Sequence, residues 1–403
     1  MAHVDAQQEG SLPPVTTGKP ARKPQDPRFC SGPAKKRPGY SVQGLASAAL
    51  GRSHRGKLGK GKLEEAIERT RSVLEVPAEH RIGIVPASDT GAVEMVMWSA
   101  LGPRPLDIFA WEAFGEEWVT DATEQLKLED TRVIRGQPYG TLPDFTQLRK
   151  NADVIFTQNG TTSGVRIPNF DWISADREGI TINDATSAAF AQPIAWDKCD
   201  VLTFSWQKVL GGEGAHGMLV LSPRAVERLE SYTPPRPLPK VFRLTKKGKL
   251  DEGIFEGSTI NTPSMLCVED YLDALKWAET IGGLPVLHAR ANRNTQVLAD
   301  WVAKTAWVDF LPQDPALRSN TSVCLRVTDP RITQLPEAAQ ATFAKRLSDL
   351  LERENVALDV ASYRSAPPGL RIWCGATVEA SDVELLTPWL DWAFELSVKE
   401  QLA

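Results

Sequence analysis

The sequence has few residues of the types that most often bind metal ions. Its 403 residues include only five histidines and five cysteines. No two histidines have the spacing of a helical zinc pair, and no two cysteines form a Cys-x-x-Cys pair. We therefore expect no metal site. An odd, dispersed set of cysteines also favours reduced thiols and a cytoplasmic location over a disulfide-linked secreted protein.

Long apolar runs and an excess of basic charge are also missing. No apolar run approaches the roughly 20 residues that cross a bilayer, and residues 1–25 have no apolar core of the kind found in signal peptides. The net charge of −5 and the pI of about 5.7 differ from the basic footprint of nucleic-acid-binding proteins. We expect neither a membrane nor a nucleic acid as a partner.

The composition that remains is that of an ordinary globular protein, with 42% hydrophobic and 24% charged residues. The length is typical of two domains. Residues 1–27 are rich in proline, glutamine, lysine and threonine, which predicts a flexible arm. We expect a large domain over residues 28–285, whose first residues are assignable to either domain, and a small C-terminal domain over residues 286–403.

Strand-like and helical patterns alternate between residues 80 and 222, and each strand ends in a polar or glycine-rich turn. This alternation predicts an α/β domain with a largely parallel sheet, whose functional residues lie along one edge. Beyond residue 307 the order of strands and helices is typical of an α+β domain.

Lys208 follows a short apolar strand that begins after Asp200, and glycines follow at 211, 212 and 214. A lysine at the edge of an apolar sheet is partly desolvated, which lowers its pKa and makes its amine available as a nucleophile or base. Taken alone, a lysine in this position is more often a solvated surface residue. Other features have to decide between these interpretations.

A second candidate site follows the predicted strand at residues 81–86, where Ser88, Asp89 and Thr90 open a helix. Free N–H groups at a helix start, with the helix dipole and the hydroxyls of Ser88 and Thr90, suit a phosphate. The alternative is a simple N-cap. Because Asp89 would repel a phosphate, we expect its side chain to face outward or to cap the helix.

Three other side chains complete a candidate pocket. Asp184 ends a predicted strand, where ligands of open α/β sheets gather, although a helix cap is the commoner role for an aspartate. Trp118 near a helix start can stack on a planar ring, although most such tryptophans are core residues. Thr161 lies in a loop rich in hydroxyls. A phosphate cradle, a carboxylate and a lysine together form the set that pyridoxal phosphate requires.

A basic, glycine-flanked loop contains His54 and Arg55 between Arg52 and Lys57. It is either a solvated loop or a site for a small anion, for which arginine supplies a forked pair of donors.

These motifs resemble those of the phosphoserine aminotransferases, a family in class V of the fold-type-I pyridoxal-phosphate enzymes. The resemblance covers residues 28–395. It implies a mostly parallel sheet of the seven-stranded type in the large domain and a smaller α+β C-terminal domain. The motifs that carry it are Ser31-Gly32-Pro33-Ala34, Ser53-His54-Arg55-Gly56-Lys57, Asn183-Asp184, Ser205-Trp206-Gln207-Lys208 and Asn261-Thr262-Pro263.

The resemblance also implies a role for each candidate residue. Lys208 would form the Schiff base with the cofactor and later move the proton between Cα and the cofactor carbon. Asp184 would pair with the pyridinium nitrogen, and Trp118 would stack on the ring. The other implied cofactor contacts are Thr161, Gln207, Ser88, Asp89 and Thr90, with Asn261 and Thr262 supplied by the neighbouring subunit of a homodimer.

On the substrate side, Arg371 would bind the α-carboxylate, and His54, Arg55 and Arg364 would bind the distal anion. The implied reaction is a ping-pong transfer of the amino group from L-glutamate to 3-phosphohydroxypyruvate, which gives O-phospho-L-serine and 2-oxoglutarate in serine biosynthesis. A phosphorylated threonine analogue from pyridoxine biosynthesis is a further candidate substrate.

Two departures from the family pattern bear on these roles. The usual glycine-rich phosphate cradle is Ala-Ser-Asp-Thr-Gly here, and a common His-Arg pair is Tyr363-Arg364. The nearest alternative is a class V aminotransferase that acts on serine or alanine with glyoxylate. A cysteine desulfurase would need a mobile cysteine, whereas Cys374 has the setting of a buried thiol. A non-catalytic protein with the same fold is the alternative from another class.

Overall fold

The computed structural model describes residues 18–401. Residues 1–17 of the predicted arm and residues 402–403 lie outside the described residues.

Helices and strands alternate through most of the described chain. The α-helices are α1 (Lys57–Leu74), α2 (Ser88–Ala100), α3 (Ala113–Thr120), α4 (Pro223–Ser231), α5 (Met265–Thr280), α6 (Leu284–Val302), α7 (Pro330–Thr333), α8 (Glu337–Arg353) and α9 (Ala380–Gln401). The strands are β1 (Arg81–Pro86), β2 (Leu106–Ala110), β3 (Thr131–Arg135), β4 (Asp153–Thr157), β5 (Asn159–Gly160), β6 (Val165–Arg166), β7 (Thr181–Asp184), β8 (Val201–Ser205), β9 (His216–Leu221), β10 (Thr245–Lys246), β11 (Lys249–Leu250), β12 (Val308–Phe310), β13 (Ser322–Val327) and β14 (Leu370–Trp373).

The centre of the molecule is a seven-stranded sheet in the order β1-β9-β8-β7-β4-β2-β3. Every neighbouring pair is parallel except the two that involve β9, which runs antiparallel to β1 and β8. Strands β2, β4, β7, β8 and β9 are buried along their whole length, because helices cover both faces of the sheet. The prediction of a mostly parallel α/β sheet is confirmed.

Helices α1 and α5 pack against each other beside this sheet. Leu63 and Ile67 of α1 and Leu275 of α5 are almost completely buried. The hydroxyls of Thr70 and Tyr271 are 2.9 Å apart between the two helices, so the buried polar atoms at this contact are paired.

A second, smaller sheet contains the antiparallel strands β12, β13 and β14. Helix α9 packs on both α6 and α8 at this sheet. Trp307 and Phe394 stack there with ring centroids 4.3 Å apart. The α+β character predicted for the C-terminal part is confirmed, whereas the predicted boundary at residues 285 and 286 falls within α6 and stays a prediction.

Residues 18–29 contain neither a helix nor a regular strand, yet side chains and backbone hold them against the smaller sheet and its helices. Lys19 pairs with Glu354 at 2.7 Å, and the indole N–H of Trp389 donates to the carbonyl of Arg22. The backbone N–H of Trp373 donates to the carbonyl of Phe29, directly before the Ser-Gly-Pro-Ala motif. The described part of the N-terminal segment therefore packs against C-terminal residues before the chain reaches the central sheet.

Candidate active site

Lys208 lies just beyond the C-terminal end of β8, and its side chain is partly buried. Its amine donates a 2.8 Å hydrogen bond to the carbonyl oxygen of Ser31. Burial, followed by the positive charge of Arg371, lowers the pKa of Lys208 to about 8. The predicted lowering of this pKa is confirmed, and the same effect shows that Arg371 is close to Lys208.

Gly32 makes the approach of Lys208 possible. A Cβ atom on this residue would lie 2.5 Å from the Lys208 amine, closer than any side chain tolerates. Two residues later, the backbone N–H of Ala34 donates a 2.7 Å hydrogen bond to the carbonyl of Gln207. The motif that contains Ser31 therefore forms one wall of the lysine site, a role that we did not assign from the sequence.

Asp184 is the last residue of β7 and is only 3% exposed. One of its oxygens accepts a hydrogen bond from the backbone N–H of Thr186 at 3.0 Å, and the other accepts from the indole N–H of Trp118 at 3.1 Å. Trp118 is in the second turn of α3 and is buried. The structure thus brings the predicted carboxylate and the predicted aromatic residue together.

The candidate phosphate cradle lies between β1 and α2. Ala87 and Ser88 adopt left-handed backbone conformations, with φ of 64° and 54°. Such values are uncommon for residues other than glycine and recur at functional sites. A Cβ atom on Gly217 would lie 2.1 Å from the Ser88 carbonyl, so β9 needs glycine beside this turn. The turn therefore takes a left-handed backbone without a glycine at residue 87 or 88.

A cavity of about 420 Å³ joins this cradle to the lysine. It is lined by Gly32, Pro33, Ala87, Ser88, Gln207, Lys208, Gly214 and Ala215. The cavity therefore connects the lysine with the start of α2, as the sequence predicted.

Asp89 does not face outward and does not cap α2, so that expectation is wrong. Its side chain is only 6% exposed, and no side chain caps the helix. The reason is helical periodicity: Asp89 shares the inner face of α2 with Ala92, Val93 and Val96, which follow at intervals of three, four and seven residues and are buried. Thr90, in contrast, is exposed.

Thr161 is buried beside the same site. Its hydroxyl donates to the hydroxyl of Ser187 at 2.8 Å, and its carbonyl accepts a 2.6 Å hydrogen bond from the Ser322 hydroxyl. Because Ser322 begins β13, these bonds join the active-site loop to the smaller sheet.

Arg371 extends the site from strand β14 of the smaller sheet. It is partly buried, and its Nε atom has no hydrogen-bond partner in the structure. The guanidinium carbons of Arg371 and Arg364 lie 5.7 and 5.8 Å from the centroid of the Tyr363 ring. Tyr363 thus places two arginines on one aromatic side chain, an arrangement that suits two separate anionic groups.

Arg364 and Tyr363 line a cavity of about 390 Å³ that also contacts Glu112, Glu117 and Tyr139. Glu112 is a buried carboxyl that sequence reasoning missed. It accepts hydrogen bonds from the backbone N–H groups of Gly115 and Thr162 and from the Thr162 hydroxyl. Burial raises the pKa of Glu112 to about 7. The only sequence signal for it is its position directly before a helix.

Four predicted residues are not brought to Lys208. In the part of the chain that the structure describes, none of the hydrogen bonds of His54, Arg55, Asn261 or Thr262 reaches Lys208. Arg55 and Thr262 are exposed. His54 is buried, and its burial, with a smaller effect of Arg55, lowers its pKa.

Cys374 is completely buried, which confirms the prediction of a buried thiol, and burial raises the pKa of this thiol to about 12. Among residues 18–401 no cluster of three or more histidine, cysteine, aspartate or glutamate side chains is arranged to hold a metal ion. No helix in that range is long and apolar enough to cross a membrane.

Solved structures with the same fold include more than one kind of aminotransferase. A phosphoserine aminotransferase from Bacillus circulans subsp. alkalophilus superimposes with a TM-score of 0.74 at 20% identity, over 93% of this chain and 98% of that one. An alanine–glyoxylate aminotransferase from Nostoc sp. gives 0.74 at 18% identity, over 97% of this chain and all of that one. At these identities the superpositions establish the fold and do not distinguish between activities.

The sequence comparison does distinguish between them. No protein-family model matches the chain. The phosphoserine aminotransferase of Methanosarcina mazei, however, is 58% identical over 378 residues, which make up 94% of this chain and 99% of that protein. Such similarity over nearly the full length of both proteins does not favour the serine or alanine alternative. The chain belongs to the phosphoserine aminotransferase family.

Proposed function

We propose that this chain transfers the amino group of L-glutamate to 3-phosphohydroxypyruvate, giving O-phospho-L-serine and 2-oxoglutarate, in serine biosynthesis. The observation that carries the proposal is the partly buried Lys208, with its lowered pKa, between an anion cradle, the Asp184 carboxylate and Arg371. Membership of the family supports the choice of substrates.

Phosphoserine aminotransferases are pyridoxal-phosphate enzymes, and the side chains of this site fit that cofactor. Buried polar atoms without hydrogen-bond partners occur at this site: Gln207 Oε1 belongs to a residue that lines the cavity, and the hydroxyl oxygens of Thr186 and Thr203 lie beside Asp89. Buried polar atoms are normally paired, so their clustering at one place is the mark of a polar ligand site. Ser88, Asp184 and Lys208 would hold the phosphate, the ring nitrogen and the aldehyde of the cofactor, respectively.

The bound cofactor supplies an electron sink and carries the amino group between the two half-reactions. The chain supplies positioning and proton transfer. With a pKa of about 8, an appreciable fraction of the Lys208 amine is unprotonated near neutral pH, so it can take a proton from the substrate Cα and return it. Asp184 would pair with the ring nitrogen, and Trp118 would stack on the ring; the Trp118 N–H orients the Asp184 carboxylate.

We assign the α-carboxylate of both amino acids to Arg371 and the distal anion to Arg364, assisted by His54 and Arg55. Both substrates carry a second anion, a phosphate or a side-chain carboxylate, and a guanidinium binds either with the same pair of donors. Both arginines lie close to the Tyr363 ring, so the two candidate anion sites are neighbours.

Asn261, Thr262, His54 and Arg55 act in this proposal across a homodimer interface. The support is an exposed apolar surface beside their loops. Four of the five large hydrophobic residues that stand out as exposed in the described chain flank these loops: Val42, Leu50, Leu58 and Leu266. Apolar residues exposed close together commonly mark protein contacts.

The dimer has a direct test. Sedimentation should give twice the chain mass, and Leu58→Asp with Leu266→Asp should shift the protein toward the monomer and reduce its cofactor content. Changing the exposed Val241 to Asp, away from these loops, is the control. A monomeric wild-type protein with full activity would contradict the shared site.

The assignment of substrates is tested by half-reactions followed in the visible spectrum of the cofactor. Phosphoserine and glutamate should react much faster than serine and alanine, and the phosphorylated threonine analogue measures how far the distal site extends. Equal or faster reaction with serine or alanine would reject the proposal. A purified protein that stays colourless with added pyridoxal phosphate would reject the whole class of activity.

We also place the enzyme in the cytoplasm. All five cysteines are free, and three of them are buried, as suits a reducing compartment. Cell fractionation that finds the native protein outside the cytoplasm would contradict this location.

A further inference from the structure

Two buried carboxyl groups come from different elements toward the same place in the site. Asp184 ends β7, and Asp89 lies in the first turn of α2, which packs on β7 and β8. Their exposures are 3% and 6%. In the register between β7 and β8, Asp184 is the partner of Thr203, whose side chain therefore shares a sheet face with Asp184.

The surroundings of Asp89 are polar but incompletely paired. Its Oδ1 atom has no hydrogen-bond partner, and the hydroxyl oxygens of Thr186 and Thr203, which lie beside it, have none either. A buried acceptor without a donor is rare in native proteins and calls for an explanation. A proton bound to the Asp89 carboxyl group is a simple explanation.

Charged groups on several neighbouring elements surround the pair formed by Asp89 and Asp184. Asp184 on β7 is the charged group that acts directly on Asp89. Around Asp184 stand Lys208 after β8, Glu112 before α3 and Glu117 in α3, and Arg371 on β14 acts on Lys208. His216 on β9 pairs with Ser88, and burial lowers its pKa to about 4, so it is neutral here. No cation therefore acts directly on Asp89.

The hydrogen bonds decide which carboxyl group keeps its charge. Asp184 accepts from the backbone N–H of Thr186 and from the indole N–H of Trp118, and both donors stabilise a carboxylate. The only donors beside Asp89 in the described chain are the hydroxyls of Thr186 and Thr203, which act to lower its pKa, and neither hydroxyl has a hydrogen-bond partner in the structure. Burial, with the charge of Asp184, raises the pKa of Asp89 well above its usual range. Two adjacent buried carboxyls cannot both ionise, and here the proton belongs on Asp89.

We propose that Asp89 is a positioning residue that stays protonated at neutral pH and donates a hydrogen bond to the Asp184 carboxylate. The inference deepens the proposed function and rests on it in one respect, the pairing of Asp184 with the cofactor ring nitrogen. The pair then carries one negative charge. Asp184 is held in a fixed orientation, and the ring nitrogen faces a single carboxylate.

The test is infrared spectroscopy of the full-length holoenzyme at neutral pH. A protonated aspartic acid gives a carbonyl band apart from those of carboxylates, and labelling all aspartates with ¹³C at the carboxyl carbon shifts this band and excludes glutamates such as Glu112. We expect a label-sensitive band that Asp89→Asn removes and Glu112→Gln leaves in place. No label-sensitive acid band in the wild type, or the same band in Asp89→Asn, would overturn the proposal.

A second variant tests the coupling. In Asp184→Asn the neighbouring charge is gone, so the band of Asp89 should disappear at a pH lower by about one unit or more than in the wild type. An unchanged midpoint would show that the two carboxyls are not paired. If Asp89→Asn fails to fold, the labelled wild type and Asp184→Asn still decide the question.

These outcomes separate the inference from the proposed function. The acid band does not depend on turnover, so an inactive or differently specific enzyme that shows it would retain the carboxyl pair and lose only the substrate assignment. If the protein is an active phosphoserine aminotransferase without the band, the proposed function stands and the pairing of Asp89 with Asp184 is contradicted. As a check for a purely structural role, Asp89→Asn keeps a hydrogen-bond donor and should preserve more cofactor affinity than Asp89→Leu.

Discussion

The two halves of the site are built in different ways. The half with Lys208 and Asp184 lies at the ends of buried strands in the central sheet, and both side chains are hydrogen-bonded. In the other half, Arg364 is exposed on the segment that leads into β14, and Arg55 is exposed on a separate loop. The cofactor half is therefore fixed by the fold itself, whereas the half for the distal anion depends on loops and, in our proposal, on a second subunit.

The contrast suggests how one fold accommodates different aminotransferases. Changing a strand end disturbs the core, whereas an exposed loop changes at little cost in stability. The superpositions establish that the two kinds of aminotransferase share this fold. Each prediction below tests one side of it.

The largest effect is expected at Lys208. Lys208→Ala removes the group that, in our proposal, binds the cofactor covalently and moves the proton, so turnover should fall by at least about a thousandfold. Borohydride should fix the cofactor to the wild-type protein and not to the variant. Lys304→Ala, at an exposed lysine, is the control. Activity retained within tenfold would show that another amine carries the reaction.

Arg371→Gln should come next. A charged hydrogen bond contributes roughly 1.5–3 kcal/mol, so kcat/KM should fall about ten- to hundredfold. Because every amino donor has an α-carboxylate, glutamate, phosphoserine and alanine should be affected alike. Arg326→Gln, at an exposed arginine on the neighbouring strand β13, should change little. A loss confined to substrates with a second anion would mean that Arg371 binds the distal group.

Arg364→Gln should give a smaller and selective effect. The side chain is exposed and therefore better screened, so kcat/KM for phosphoserine and glutamate should fall by about tenfold. Alanine, which has no distal anion, should react at its wild-type rate. Steady-state kinetics with the three donors measure the difference. An equal loss for all three would remove the distinction between the two arginines.

His216 tests the stability of the fixed half, with little expected change in turnover. Its Nε2 accepts a hydrogen bond from the backbone N–H of Ser264, and burial lowers its pKa to about 4. The unfolded side chain titrates near 6.5. Between these values the unfolded chain binds more protons, so the unfolding free energy is fully maintained above about pH 6.5 and falls as the pH drops toward 4.

The variant His216→Asn keeps an acceptor for Ser264 but does not titrate. Denaturant unfolding from pH 7.5 down to 4.5 should show a shallower loss of stability than in the wild type, by on the order of 1–3 kcal/mol at the lower end. Equal slopes for the two proteins would show that His216 takes up no proton on unfolding.

The strands of the fixed half could be predicted because their sequences are apolar and end in polar turns, as in Val201–Ser205. Strand β3 has a weaker signal, since it lies at the sheet edge and arginines flank its two apolar residues, Val133 and Ile134. Strand β12 has a weak signal because it has only three residues. The antiparallel direction of β9 has no local signal, because strand direction is a property of the connections and not of the strand sequence.

The site shows the same limits. Asp184 and the turn at Ser88 could be found because each occupies a recognisable place at the end of one element. Ser31 could not, because it lies 177 residues from Lys208 in the sequence. The expectation that Asp89 faces outward is wrong because it rests on the charge of the side chain, whereas the position of Asp89 on the apolar face of α2 determines its burial.

The contact between Ser31 and Lys208 has a mechanical consequence. The segment that contains Ser31 is bonded on one side to Trp373 of the smaller sheet, through Phe29, and on the other to Gln207, through Ala34. It therefore links the two sheets, and it carries the carbonyl that accepts a hydrogen bond from the Lys208 amine. A displacement of one sheet relative to the other would move Ser31 through this segment. The length of the hydrogen bond between the Lys208 amine and the Ser31 carbonyl therefore depends on the position of the smaller sheet.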